Sequence, residues 1–119
     1  MAPGVYRVER ADQVPASGHL VTRVRYADKA TLMKNIAAAL EFPGWFGENW
    51  DALEDCLSDL SWLPASGYVL VFEDARPGDD FGVLVDVLRS SAEWWAGRGK
   101  PFFAVFVDPA GRLELPQLP

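Results

Sequence analysis

Two uninterrupted apolar runs in the second half of the chain limit the possible folds more than any other feature. The runs are GYVLVFE, from Gly67 to Glu73, and FFAVFV, from Phe102 to Val107. A strand with one wet face alternates apolar and polar residues, whereas a strand covered on both faces is continuously apolar, as in parallel sheets. The runs therefore predict two buried strands of a small parallel sheet.

Three segments have apolar residues at the three- and four-residue spacing of a helix face. They run from the capping residue Asp28 to near Phe42, from the cap Asn49 to about Leu60, and from Phe81 to Trp95. A further strand, less apolar, is predicted from His19 to Tyr26. The order strand, helix, helix, strand, helix, strand indicates an α/β domain with a small, mostly parallel three-stranded sheet packed with helices.

The two ends of the chain are less regular. An alternating stretch from Val5 to Val8 could add an edge strand, and Pro15, Ser17 and Gly18 then break the pattern. The tail from Pro109 holds two further prolines, and we expect it to be loose. We divide the chain into an N-terminal extension (1–18), one domain (19–108) and a C-terminal tail (109–119), which fits the usual size of a domain for 119 residues.

The sequence also predicts the cellular compartment of the chain. No apolar run approaches the ~20 residues of a membrane-spanning helix, and no secretory signal pattern is visible. The single cysteine, Cys56, cannot form an internal disulfide. We therefore expect a cytoplasmic chain without membrane association, monomeric unless a partner is bound.

Charge argues against direct binding of nucleic acid. The net charge is −6, whereas a nucleic-acid binder needs a basic face. From Asn35 to Ala75 there is no lysine or arginine, and this stretch carries eight of the seventeen acids. The chain is therefore an ordinary domain with one acidic centre.

The acidic centre lies on the second predicted helix. On a wheel of 100° per residue, one arc is apolar and the opposite arc holds Asp51, Glu54, Asp55, Ser58 and Asp59. Like charges four residues apart repel by about 0.2–0.5 kcal/mol per pair, and no base within the helix relieves them. The acidic face is either merely solvated or is kept for a cationic partner.

The loop before this helix carries two aromatic residues, Trp45 and Phe46. Either they pack inward, or they join the acids in a surface for a basic protein, since aromatic side chains are enriched in protein interfaces. The sequence pattern leaves both alternatives open.

The run FPGWFGENWDALEDCL, from Phe42 to Leu57, resembles the barstar family of intracellular ribonuclease inhibitors. The family pattern is Pro, two aromatics, Gly, Glu or Asn, Asn, an apolar residue, Asp-Ala-Leu, any residue, Asp-Cys-Leu. The predicted element order agrees with the family fold from about His19 to Val107. Three features depart from the family: Glu54 stands where tryptophan is usual, the segment Ser58-Asp59-Leu60 replaces Thr-Gly-aromatic, and both loop aromatics lack the phenol hydroxyl of the best-known relatives.

The resemblance implies a heterodimer in which an acidic helix and an aromatic loop plug the cationic active site of a secreted, guanyl-specific ribonuclease. Asp55 would mimic a phosphate, Asp51 would meet bases at the edge, and Trp45 and Phe46 would fill the mouth. The other partner-binding residues implied are Gly47, Asn49, Glu54, Ser58, Asp59 and, on the last long helix, Glu93, with Asp86 as the alternative.

Two other functions compete with inhibition. Paired carboxylates occur in glycosidase and metal sites, but Asp51 and Asp55 share one helix face with no clear facing element, and we expect no catalytic residue, cofactor or metal. Cys56 falls on the apolar arc and is predicted to be a structural thiol, as His19 is predicted to be structural or exposed. The second alternative is a module of the same fold that binds a different toxin nuclease or another basic protein.

Overall fold

A computed structural model describes residues 2–14 and 18–119, so the predicted break at Pro15 and Ser17 lies outside the described residues. The four strands are β1 (Gly4–Val8), β2 (Leu20–Arg25), β3 (Tyr68–Glu73) and β4 (Phe102–Val107). The three helices are α1 (Lys29–Ala39), α2 (Trp50–Leu57) and α3 (Asp79–Ala96), and a short 3-10 turn spans Ala11–Gln13. None of these helices is long and apolar enough to cross a membrane.

The sheet has four strands in the order β1-β4-β3-β2, and all three pairings are parallel. The sheet therefore has four strands rather than the three of the main prediction, because the N-terminal stretch, given there as a possible edge strand, pairs with β4. The mixed α/β class and the predicted element order are confirmed. The strands β3 and β4 lie at the centre of the sheet, where their continuous apolar runs are buried on both faces.

The helices pack against one face of the sheet. Their apolar residues join Leu70, Phe72 and Phe106 in one large cluster. The opposite face holds Val69, Val71, Phe103 and Val105, covered by residues that include Ala11, Val14 and Leu118. Cover on both faces was predicted from the apolar runs, but on the second face the described residues that supply it come from turns and termini.

The C-terminal tail is not loose as expected. The side chains of Leu113 and Leu115 are buried. The backbone N–H of Arg7 donates to the carbonyl of Pro116 (2.9 Å), and the N–H of Leu118 donates to the carbonyl of Arg7 (3.0 Å). The tail therefore covers the outer edge of β1, where unpaired backbone groups would otherwise face solvent.

Hydrogen bonds from Trp95 and Tyr68 fix the segment around α2 to the core. The indole N–H of Trp95 on α3 donates to the carbonyl of Leu57 at the end of α2 (2.7 Å). The Tyr68 hydroxyl donates to the carbonyl of Leu63, in the connection from α2 to β3 (2.8 Å). Buried indole and phenol groups usually find such partners, and here they set the position of α2 against the sheet.

Candidate protein-binding site

The N-terminus of α2 is set by the predicted cap. The Asn49 side chain accepts a hydrogen bond from the backbone N–H of Ala52 (2.8 Å), which satisfies a donor that the helix leaves free. Gly47 leaves room for this cap, because a Cβ there would lie 3.2 Å from Asn49 Nδ2. Gly47 and Asn49 therefore shape the loop and the helix start.

The predicted separation of α2 into two faces is confirmed. Its apolar side chains Leu53, Cys56 and Leu57 are fully buried. Asp51 and Asp55 are exposed on α2, whereas Glu54 is half-buried. The helix ends at Leu57 and not near Leu60 as predicted, so the half-buried cap Ser58 and the exposed Asp59 follow it. Helix α2 therefore presents a row of carboxylates to solvent on a rigid, packed element.

The acids of α2 differ from other acids in their electrostatic partners. The ion pairs of the described residues join Arg10 to Asp12, Arg23 to Glu73, Arg25 to Asp74 and Lys34 to Glu48. Within this set no base pairs with Asp51, Glu54, Asp55 or Asp59. Asp59 has a local partner, since its carboxylate accepts from the backbone N–H of Ser61 (3.2 Å). The charge of α2 is thus left without a neutralising side chain.

Cys56 lies beneath this face as a buried thiol. Burial, and then the negative charges of Asp55 and Asp59, raise the pKa of Cys56 to about 11. A thiol with this pKa is protonated at neutral pH and is a poor nucleophile. The structural role predicted for Cys56 agrees with its position in the core.

The two loop aromatics take different positions. Phe46 is half-buried and packs edge-to-face against Phe42, with ring centroids 4.9 Å apart. Trp45 is 63% exposed, the most exposed large apolar side chain of the described residues. The loop therefore packs inward through Phe46 and offers Trp45 to solvent beside the acidic face.

A comparison with family models tests the resemblance. The model described as "Barstar (barnase inhibitor)" matches residues 19–107, about three-quarters of the chain. The chain belongs to the barstar family. The proteins of the barstar family are inhibitors that bind a ribonuclease, and the match covers the segment from His19 to Val107 that the resemblance indicated. A comparison of the sequence with curated proteins gave no match.

Within this barstar-family domain, the secondary acids of α3 line two grooves. Glu93 is exposed and lines a groove of about 290 Å³ with β1 residues and Pro116. Asp86 is exposed and lines a second groove with Arg112 and Glu114. Neither groove includes a residue of α2 or of the Trp45 loop, and the secondary acidic contact stays a prediction.

One aromatic residue beside the barstar-family loop had no role in the sequence analysis. The ring of Trp62, in the connection after α2, lies edge-on to that of Trp45, with centroids 6.2 Å apart and planes at 90°. The contact joins two loops on either side of α2. The sequence held only a weak signal for it, a tryptophan before Leu63-Pro64 in the connection after α2.

The metal-ligating residue types of the described part of the chain are scattered. They contain no group of three His, Cys, Asp or Glu side chains placed to hold a metal ion. His19 stacks on Phe103 (6.5 Å between centroids), and its buried Nδ1 has no hydrogen-bond partner among those residues. The arrangement is suited to binding a basic surface, through carboxylates and one exposed indole.

Proposed function

We propose that this chain inhibits a secreted, guanyl-specific ribonuclease inside the producing cell, by covering the enzyme's cationic active site. The observation that carries the proposal is the row of carboxylates on α2 without ion-pair partners among the described residues, next to the 63% exposed Trp45. Membership of the barstar family supports it.

Charge complementarity explains how the acidic face would bind such an enzyme. A ribonuclease active site concentrates positive groups because it holds phosphate and stabilises the charge that develops on it. A carboxylate placed there accepts charge-assisted hydrogen bonds from arginine, lysine or protonated histidine. We assign the central contact to Asp55 and an edge contact to Asp51, both exposed on one face of α2.

The loop would supply the apolar part of the interface. An exposed indole buries a large area at a small cost in side-chain entropy and is a frequent hot spot. Trp45 is available for this contact, whereas Phe46 already packs against Phe42 and would act chiefly by holding the loop. Inhibition then follows from occlusion of the active site, without chemistry, in a complex of one inhibitor and one enzyme.

The test is an inhibition titration against a panel of secreted guanyl-specific ribonucleases, with cleavage of a fluorescent RNA as the readout. We expect stoichiometric inhibition by the wild type and at least about 30-fold weaker inhibition by Asp55→Ala, the size of a hot-spot loss. Asp12→Ala is the matched control, because it removes an exposed aspartate of the 3-10 turn Ala11–Gln13, outside the matched residues 19–107, and it should inhibit like the wild type.

Two results would contradict the proposal in different ways. If Asp55→Ala inhibits as well as the wild type, Asp55 is not the central contact. If the wild type inhibits no enzyme of the panel, the chain has another basic partner.

A further inference from the structure

Trp62 is anchored to the end of α1. Its indole N–H donates to the backbone carbonyl of Leu40 (3.0 Å), the residue that caps α1 and whose side chain is fully buried. The last carbonyls of a helix lack partners within the helix, so this hydrogen bond satisfies one of them. It also fixes the Trp62 ring relative to the core.

The anchored ring contacts the loop at two points. Trp62 lies edge-to-face with Phe42, with centroids 5.9 Å apart and planes at 88°, and with Trp45 at 6.2 Å and 90°. Such pairs favour centroid distances of 4.5–7 Å and stabilise by about 0.5–1.5 kcal/mol beyond their buried area. Among the described residues, Trp62 is the one aromatic ring that Trp45 contacts.

We propose that Trp62 is a positioning residue, which holds the exposed Trp45 indole in the orientation that meets the partner. The proposal rests on the proposed function for its binding consequence. A side chain that is held in place before binding loses less conformational entropy in the complex. Trp62 thus acts through Trp45. Its N–H is hydrogen-bonded to the Leu40 carbonyl, and its ring contacts the Trp45 ring.

The first test needs no partner. The chain is labelled with fluorotryptophan, and the Trp45 resonance is assigned by its loss in Trp45→Phe. We expect Trp62→Leu to shift the Trp45 resonance towards that of a free, solvated indole, because the edge-on ring is gone. Trp94→Leu is the control, because it removes a half-buried tryptophan from a different edge-to-face pair, with Trp95, and should leave Trp45 unchanged.

The second test is a double-mutant cycle in the inhibition titration, with Trp45→Ala, Trp62→Leu and the double variant. We expect Trp62→Leu to weaken inhibition by about two- to tenfold, the equivalent of one aromatic pair, and to have no further effect in the Trp45→Ala background. Trp62→Phe keeps an edge-on ring without the N–H, and it should recover most of the loss, which separates positioning from a general loss of folding.

Specific results would overturn the proposal. An unchanged Trp45 resonance in folded Trp62→Leu would show that Trp62 does not hold the indole. A full effect of Trp62→Leu in the Trp45→Ala background would make Trp62 a direct contact. If the wild type inhibits no enzyme of the panel, the proposed function fails, and the fluorine spectra still decide whether Trp62 orients Trp45.

Discussion

The acids of α2 and the acids at the carboxyl ends of β3 and β4 have different surroundings. At the sheet ends, Asp74 pairs with Arg25 (3.0 Å) and Glu73 with Arg23 (3.7 Å). Asp108 is 7% exposed, and its carboxylate accepts the backbone N–H groups of Arg112 (3.1 Å) and Leu113 (2.9 Å). Among the described residues, no ion pair involves a carboxylate of α2. The difference is what we expect if the sheet-end acids stabilise the fold and the α2 acids bind the proposed partner.

The largest contrast is expected in the rate of association with the ribonuclease. Opposite charges steer encounter and raise association rates by about 10–10³-fold, an effect that salt suppresses. We expect the rate constant to fall at least about tenfold between low and high salt for the wild type, and much less for Asp51→Asn/Asp55→Asn. Stopped-flow fluorescence measures this rate constant. The double variant Glu73→Gln/Asp74→Asn is the control. If it loses as much salt dependence as Asp51→Asn/Asp55→Asn, the acids of α2 do not differ from the sheet-end acids in steering.

Asp108 should show the reverse behaviour, a loss of stability without a loss of binding. In Asp108→Ala, the N–H groups of Arg112 and Leu113 lose their acceptors, and we expect the free energy of unfolding to fall by about 1–3 kcal/mol. Urea denaturation measures the change, and Asp108→Asn should lose less because one acceptor oxygen is kept. A change below about 0.5 kcal/mol would show that the tail does not depend on this carboxylate.

The raised pKa of Cys56, to which the charges of Asp55 and Asp59 contribute, makes stability depend on pH above neutrality. Its pKa is raised from an ordinary value of 9.0 to about 11 in the folded chain, so the unfolded chain releases the thiol proton first as the pH rises. The stabilisation that the buried, protonated Cys56 thiol contributes is therefore fully present below pH 9.0. As the pH rises towards 11 this contribution is lost, and the free energy of unfolding falls by up to about 1.4 kcal/mol per pH unit.

The Cys56→Ala variant isolates this effect. The variant should be less stable at neutral pH because it leaves a small cavity, but its stability should fall less steeply between pH 9.0 and 11. Urea denaturation at several pH values gives both curves. Parallel curves would show that the thiol does not titrate differently in the folded chain.

The smallest effect is expected from removing one charge of α2. Glu54 lies three residues after Asp51, so Glu54→Gln relieves like-charge repulsion and should leave the melting temperature unchanged or raise the stability by about 0.2–0.5 kcal/mol. Asp59→Ala is a poorer test, because its carboxylate bonds the Ser61 N–H. A clear fall in the melting temperature of Glu54→Gln would mean that this acid has a structural partner.

Local patterns were enough for the central elements of the fold. The apolar runs predicted β3 and β4, and the caps Asp28 and Asn49 were confirmed by hydrogen bonds to Thr31 and Ala52. The fourth strand and the docked tail depend on pairing between distant segments, β1 with β4 and Arg7 with residues 116–118. The alternating stretch from Val5 to Val8 indicated a possible edge strand but not its partner, and the contacts of the tail leave no periodic signal in the sequence, which explains why the tail was expected to be loose.

The candidate site was predicted in part for the same reason. The helical wheel was sufficient to place Asp51 and Asp55 on one exposed face of α2, whereas Asp59 lies beyond the end of the helix at Leu57. The sequence did not distinguish the inward Phe46 from the outward Trp45, because that choice depends on Phe42 and Trp62. The position of Glu93 likewise depends on how α3 packs against β1 and not on its spacing within the helix.

The most direct test of the account locates the bound ribonuclease on the surface of this chain. Amide chemical shifts of the labelled chain are followed as an inhibited enzyme of the panel is added. We expect the largest changes on the Trp45–Asn49 loop and on the exposed face of α2 around Asp55, with Asp74 unaffected. Changes centred on the groove that Glu93 lines, with α2 unchanged, would contradict this expectation.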